Sequence, residues 1–275
     1  MVSIFVASKR LVNSALNLIG LELRRVPPAA TKGPRRDSMR GALENMRTNG
    51  LAPKTVIDVG VAIGTADLYE TFPDSHHILI EPLTEYETAL KMIKRNYANL
   101  DYILAAAGPS LGKVKINVHP DLVGSSLFLE HEDTDVNGVP REVPCTTVDH
   151  VVEHFRAIGP YLIKIDVQGA ELEVLLGGKK TLINSDCVIL EVVLFDFFQE
   201  RTGLFFKTLD FMKSHGFVVH DVFGLLYRPL DGALSQVDIV FVKETSVLRK
   251  HHVYATTEQR SKGHLEKSLF PALIG

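Results

Sequence analysis

Cysteine is scarce in this 275-residue chain: Cys145 and Cys187 stand 42 residues apart, with no C-x-x-C pair. That pattern supports neither a zinc site nor a disulfide framework, and a reducing compartment is the simpler assumption. Cys187 opens the apolar run Cys187-Val-Ile-Leu190 and reads as a small buried hydrophobe. No apolar run approaches the roughly 18 residues of a membrane-spanning helix. A G-x-G-x-x-G dinucleotide fingerprint is absent as well. Net positive charge is missing from most of the chain. Residues 1–36 hold seven Lys and Arg against Glu22 alone, +6, which leaves −9 for the rest of a chain of net charge −3. An acidic body is a poor nucleic-acid binder, because phosphate neutralisation needs grouped Lys and Arg. Nucleic acid is therefore not expected as a partner. What remains, 45% hydrophobic and 23% charged, is enough for one sizeable α/β core.

Two glycine-bearing turns dominate what is present. The first is Thr55-Val-Ile-Asp-Val-Gly-Val-Ala-Ile-Gly64, the second Leu162-Ile-Lys-Ile-Asp-Val-Gln-Gly-Ala-Glu171. Each is a β-branched run that ends in an acid and a glycine turn, as a buried parallel strand does where it delivers backbone to a ligand. Glu81, 23 residues after Asp58, closes a further strand, His77-Ile-Leu-Ile-Glu81-Pro82. Strand, glycine turn, helix, strand and acid are the grammar of an adenosine-binding α/β domain.

These residues resemble the FkbM family of S-adenosylmethionine (SAM)-dependent methyltransferases, over roughly residues 53–243. That family carries a first motif close to D-V-G-A-N-x-G, a strand ending in E-P, and the signature K-I-D-x-E/Q-G-A-E-x-x-V-L-x-G. Here the last reads Lys164-Ile-Asp-Val-Gln-Gly-Ala-Glu-Leu-Glu-Val-Leu-Leu-Gly177. One departure is plain: Val61-Ala62 stand where the family usually has Ala-Asn. The resemblance implies a class I, Rossmann-like fold with a mostly parallel seven-stranded sheet and an antiparallel terminal hairpin. It also implies SAM as cofactor and an acceptor hydroxyl, on a sugar of a glycan or glycoconjugate.

Periodicity supplies the same architecture independently. Helices are predicted at Ser38–Asn49, Thr65–Phe72, Thr84–Tyr97, Thr147–Arg156, Ala170–Leu176 and Phe205–His215. Strands are predicted at Thr55–Val59, Ile78–Ile80, Tyr102–Ala106, Tyr161–Ile165 and Val188–Val193. Phe217–Val222 and Asp238–Val242 follow without an intervening helix, so they should pair antiparallel. Lys113–Val143 begins as an edge strand and turns into a Gly/Ser/Asp-rich excursion, read as a lid over the acceptor. Three regions follow: residues 1–37 as helix and linker, 38–247 as the catalytic domain, and 248–275 as a polar tail.

The chemistry is assigned residue by residue. Gly60 and Gly64 let backbone approach the methionine and ribose end of SAM. Asp58 binds its ammonium or orients the turn, and Glu81 accepts from its ribose. Asp166 lies at the methyl group as cofactor contact and base, partnered by Lys164 on the same strand face. His131 and His119 in the insertion are alternative bases, and Ser125 and Ser126 are candidate contacts to a polyhydroxyl acceptor. Asp166 with Glu191 offers a Mg²⁺ alternative, but the expectation carried forward has no metal. Glu171, in a first helical turn, reads as structural.

Residues 1–26 have helical apolar spacing with Lys9, Arg10, Arg24 and Arg25. Three readings stay open: a basic helix on an anionic membrane surface, a helix packed on protein, and a transit peptide. The expected location is cytoplasmic, peripheral at the inner face of the membrane. An NAD(P)-dependent oxidoreductase and a non-catalytic membrane-associated SAM-binding protein are the alternative functions.

Overall fold

Buried, β-branched runs form the spine of the fold, with all five residues of both acid-terminated strands inaccessible to solvent. The structure, a computed structural model, describes residues 36–132 and 136–261. The predicted helix at 1–26 and the end of the tail lie outside the described residues. In chain order the elements are α1 (Met39–Thr48), β1 (Thr55–Val59), α2 (Ala66–Thr71), β2 (His76–Glu81), α3 (Glu87–Asn96), β3 (Leu100–Leu104), β4 (Ala106–Ala107) and β5 (Gly112–Val118). They continue with β6 (Val139–Thr146), α4 (Val148–His154), β7 (Tyr161–Ile165), α5 (Glu171–Leu176), α6 (Lys179–Ile183), β8 (Ser185–Val193), α7 (Leu204–Ser214), β9 (Phe217–Tyr227) and β10 (Leu234–Lys243).

Seven strands make one sheet in the order β3-β2-β1-β7-β8-β10-β9. Only β10 runs against its neighbours. This is the class I methyltransferase order, with the antiparallel terminal pair expected from the sequence. The chain crosses from one half of the sheet to the other between β1 and β7, so a crevice opens at their carboxyl ends.

Alternation divides the sheet between two cores. Ile57, Val59, Ile163, Ile165, Val188 and Leu190 face α4, α5 and α7. Val56, Leu79, Leu162, Ile189 and Val240 face α1 and α2, where Leu43, Met46, Leu68 and Tyr69 close over them. Burying a Leu- or Ile-sized side chain stabilises by about 1.5–3 kcal/mol, so this second layer is a principal support of the sheet. On that face one charged residue sits two positions from each apolar one at the carboxyl end of the sheet: Asp58, Glu81, Lys164, Glu191 and Asp238.

The insertion departs from expectation. It is a second sheet, ordered β4-β6-β5, with β5 and β6 antiparallel from Gly112↔Cys145 to Val118↔Val139. Pro140 and Pro144 disguised β6, since proline lacks a ladder donor and marks an edge. They fit because β4 covers only Cys145 and Thr146 on the far side. The excursion proper is thus the connection between Val118 and Val139. A second difference follows Gly177, where α5 ends and α6 begins after a break. A Cβ on Gly177 would lie 2.1 Å from the Gly108 carbonyl oxygen, so packing requires glycine at this break.

The compact unit carrying both sheets is Pro34–Lys250. Of the other unit, residues 251–261 are described. There the Thr256 N–H donates to Gln259 Oε1 (2.8 Å) and the Gln259 N–H to Thr256 Oγ1 (3.2 Å), a capping box. No helix among the described residues is long and apolar enough to cross a membrane.

Candidate functional site

The turn after β1 is held by two buried carboxylates. Glu81 Oε2 accepts the Val61 and Ala62 N–H groups (3.1 and 2.9 Å), and Oε1 accepts that of Leu83 (2.9 Å). From the other side, the Thr65 N–H donates to the Tyr69 hydroxyl (2.9 Å), which donates to Asp58 Oδ2 (3.0 Å). Burial raises the pKa of both acids; at Glu81 the three N–H donors oppose it, and at Asp58 the Lys164 ammonium does. Asp58 is 1% exposed and does not line the cleft, so its carboxylate reaches the turn through Tyr69 and not a ligand.

The glycines are needed for reasons other than ligand approach alone. Gly60 has φ +77°, and a Cβ there would sit 1.8 Å from the Asp166 carbonyl oxygen. Gly64 has φ +108°, and its Cβ would meet Ile93 Cδ1 at 2.6 Å, away from the cleft. Between them Ala62 holds φ +49°. An L-residue is strained there unless it is Gly or, to a lesser degree, Asn.

The second turn gathers side chains from three strands. Lys164, 5% exposed, donates to Asp166 Oδ2 (3.0 Å) and lies 3.8 Å from Asp58 Oδ1. Burial acts to lower its pKa, but Asp58, Asp166 and Asp238 outweigh it and the net direction is upward. Gln168, itself at φ +53°, donates from Nε2 to Asp166 Oδ1 (3.1 Å) and Glu191 Oε2 (2.9 Å). Gln236 on β10 donates to Glu191 Oε1 (2.5 Å). Burial first, and then the Asp166 carboxylate, push Glu191 upward in pKa. The same two causes raise Asp238, opposite Glu191 in the β8–β10 register, to about 7. Glu171 accepts the Gly169 N–H (3.0 Å) within α5's first turn, and burial raises it to about 7.

A cleft of about 370 Å³ runs along these turns, within the usual range for small-molecule sites. One end is bounded by Gly60, Ala62, Glu81 and Tyr86, the other by Asp166, Gln168, Glu191 and Gln236. Asp121 through Leu127 of the insertion form a further wall. Ser126 anchors that wall, donating from Oγ to the Gln168 carbonyl (2.6 Å), while Ser125 Oγ accepts the His119 N–H (3.0 Å). His131 is exposed and outside the cleft, with its backbone N–H donating to the Phe197 carbonyl (3.0 Å). His119 pairs with Asp121 Oδ1 (2.6 Å) and does not line the cleft either. Sequence reasoning missed Tyr86, Gln168 and Gln236. Among the described residues no three His, Cys, Asp or Glu side chains group as metal ligands.

A family model described as the methyltransferase FkbM domain matches residues 58–219. The chain belongs to that family. It is a SAM-dependent methyltransferase of the class I fold, and an NAD(P)-dependent oxidoreductase is set aside. No curated protein matches this FkbM methyltransferase. Among solved structures, a precorrin-6y C5,15-methyltransferase from Geobacter metallireducens is 12% identical, covering 79% of this chain and 96% of its own, at a TM-score of 0.40. Precorrin 8w decarboxylase from Methanobacterium thermoautotrophicum is 14% identical, covering 79% and 95%, at 0.40. Aeropyrum pernix fibrillarin, solved with natively bound SAM, is 15% identical, covering 74% of each chain, at 0.37. None of these likenesses bears on what this chain binds. The family match ends before β10, so Gln236 and Asp238 come from outside it.

Proposed function

We propose that this FkbM methyltransferase methylates a hydroxyl of a carbohydrate acceptor, with SAM lying between Glu81 and Asp166. The observation that carries the acceptor class is the far wall of the cleft, Asp166, Gln168, Glu191 and Gln236. Carboxylates and primary amides placed side by side are the groups that pair with several neighbouring hydroxyls at once.

The residues fit the cofactor. Gly60 presents bare backbone to the cleft. A carboxylate has about four acceptor positions; three backbone donors engage Glu81, so Oε1 keeps one for a ribose hydroxyl. Asp166, whose side chain is 30% exposed, keeps acceptor positions on both oxygens beside its partners Lys164 and Gln168. It suits a cationic amine or the reacting hydroxyl. When bound, SAM supplies an electrophilic methyl group on a sulfonium.

The chain's own contribution is orientation and proton handling. Lys164 holds Asp166 in place at the strand end. Asp58 and Gly64 act behind the site by shaping the first turn. His131 has no part in this reading, because it lies outside the cleft. The N-terminal segment, +6 over residues 1–36, would hold the enzyme at an anionic membrane surface where lipid-carried glycans are found.

Incubating the full-length protein with labelled SAM and a panel of methyl glycosides tests the acceptor. Label transferred to one or more sugars, at an oxygen, is the expected result. Transfer confined to non-sugar hydroxyls, or to nitrogen, overturns it.

A further inference from the structure

Beyond Asp166 the cleft ends at Glu191, a carboxylate held by two amides and by no cation. We infer that Glu191 is the catalytic base, taking the proton of the acceptor hydroxyl, while Asp166, paired with Lys164, is a positioning group. The inference rests on the reading of this cleft as a hydroxyl methyltransferase site.

Location comes first. Glu191 lines the cleft at the end away from Glu81, beyond the strand whose end carries Asp166. An acceptor entering past the cofactor meets this wall. No histidine lines the cleft.

Chemistry separates the two acids. Both have two hydrogen-bond partners and so two spare acceptor positions. Asp166 is tied at one oxygen to the Lys164 ammonium (3.0 Å), an ion pair that holds it in place. Glu191 instead accepts from the neutral amides of Gln168 and Gln236. The charged and titratable groups around it are Asp166 and Lys164 from β7, Glu171 from α5 and Asp238 from β10. Asp166, Asp238 and Glu171 all act to keep a proton on it. Its ionised form is correspondingly the stronger base.

The step balances without another reactant. The acceptor oxygen bonds to the methyl carbon as the carbon–sulfur bond breaks, and that electron pair stays on sulfur, which becomes a neutral thioether. The hydroxyl proton passes to a Glu191 carboxylate oxygen and leaves to solvent through the cleft. Because burial and the neighbouring carboxylates favour its protonated form, turnover should rise with pH and level off once Glu191 is ionised.

The test compares full-length wild type with Glu191→Gln and Glu191→Asp. Infrared difference spectra of the S-adenosylhomocysteine complexes, from neutral to alkaline pH, should show a wild-type carboxyl band that is lost as pH rises. Glu191→Gln should lack that band while retaining those of Asp238 and Glu171, and should bind S-adenosylhomocysteine as wild type does. With methyl glycosides as acceptors, it should lose on the order of a hundredfold in kcat. Glu191→Asp should recover part of the rate with the alkaline rise intact. Equal bands in wild type and Glu191→Gln, or a wild-type rate and pH profile in that variant, overturn the proposal. A titrating Glu191 band without transfer to any glycoside supports the proton-holding role and counts against the sugar acceptor instead.

Discussion

Replacing Glu81 with alanine should damage the fold and the cofactor site together, and the structure says by how much. Three backbone N–H groups, from Val61, Ala62 and Leu83, converge on its carboxylate. Leaving a buried donor unpaired costs about 1–3 kcal/mol. Water entering from the cleft places each at the lower end, so about 3 kcal/mol in all is expected. For a unit of this size that lowers Tm by roughly 6–12 °C. SAM loses a charge-assisted hydrogen bond worth about 1.5–3 kcal/mol and also the shape of the turn beneath it, so affinity should fall at least tenfold to a hundredfold. Glu81→Gln discriminates further. Its oxygen can replace Oε2 and keep the Val61 and Ala62 donors, while its NH₂ faces the Leu83 N–H and loses that one. A smaller drop, about 1 kcal/mol, follows. Thermal unfolding and calorimetry with SAM, run on both variants, are the assays. A Glu81→Ala protein with wild-type Tm and lost SAM affinity would refute the reasoning, because the acid would then serve the ligand and not the turn.

Three other outcomes are expected. Ala62 holds a left-handed backbone, so Ala62→Asn, the family's usual residue, should stabilise by roughly 0.5–1 kcal/mol; a fall in Tm would contradict it. Glu171 is raised to about 7 by burial, so the folded state binds its proton more tightly than the unfolded one. Its contribution to stability should therefore fall as pH rises from about 4 to about 7, and in denaturant titrations Glu171→Gln should make the decline shallower by that share, its oxygen still accepting the Gly169 N–H. Deleting residues 1–26 should abolish binding to anionic liposomes while sparing SAM affinity, and high salt should mimic the deletion; salt-independent binding would contradict an electrostatic anchor.

The centre of the sheet was legible because β1, β2 and β7 are short, buried and rich in β-branched residues, with the acids Asp58, Glu81 and Asp166 marking their ends. β6 was not, because Pro140 and Pro144 argue against a strand until β4 is known to leave their side uncovered. The glycines were read as ligand contacts, yet Gly60 answers to the Asp166 carbonyl and Gly64 to Ile93, neighbours remote in sequence. For the same reason Gln168 and Gln236 went unread: amides on strands and turns look like solvated polarity until the register brings them to Glu191. His131 and His119 attracted attention by residue type alone. Only the path of the insertion, anchored by Ser126 to the Gln168 carbonyl, shows which of its side chains face the cleft.

A crystal structure of the full-length protein with S-adenosylhomocysteine tests the central claim most directly. The account predicts the ligand in the cleft between the two turns, its ribose hydrogen-bonded to Glu81 Oε1 and its sulfur toward Asp166, with Gln168 still bridging Asp166 and Glu191. A ligand bound elsewhere, or a ribose out of reach of Glu81, would contradict it.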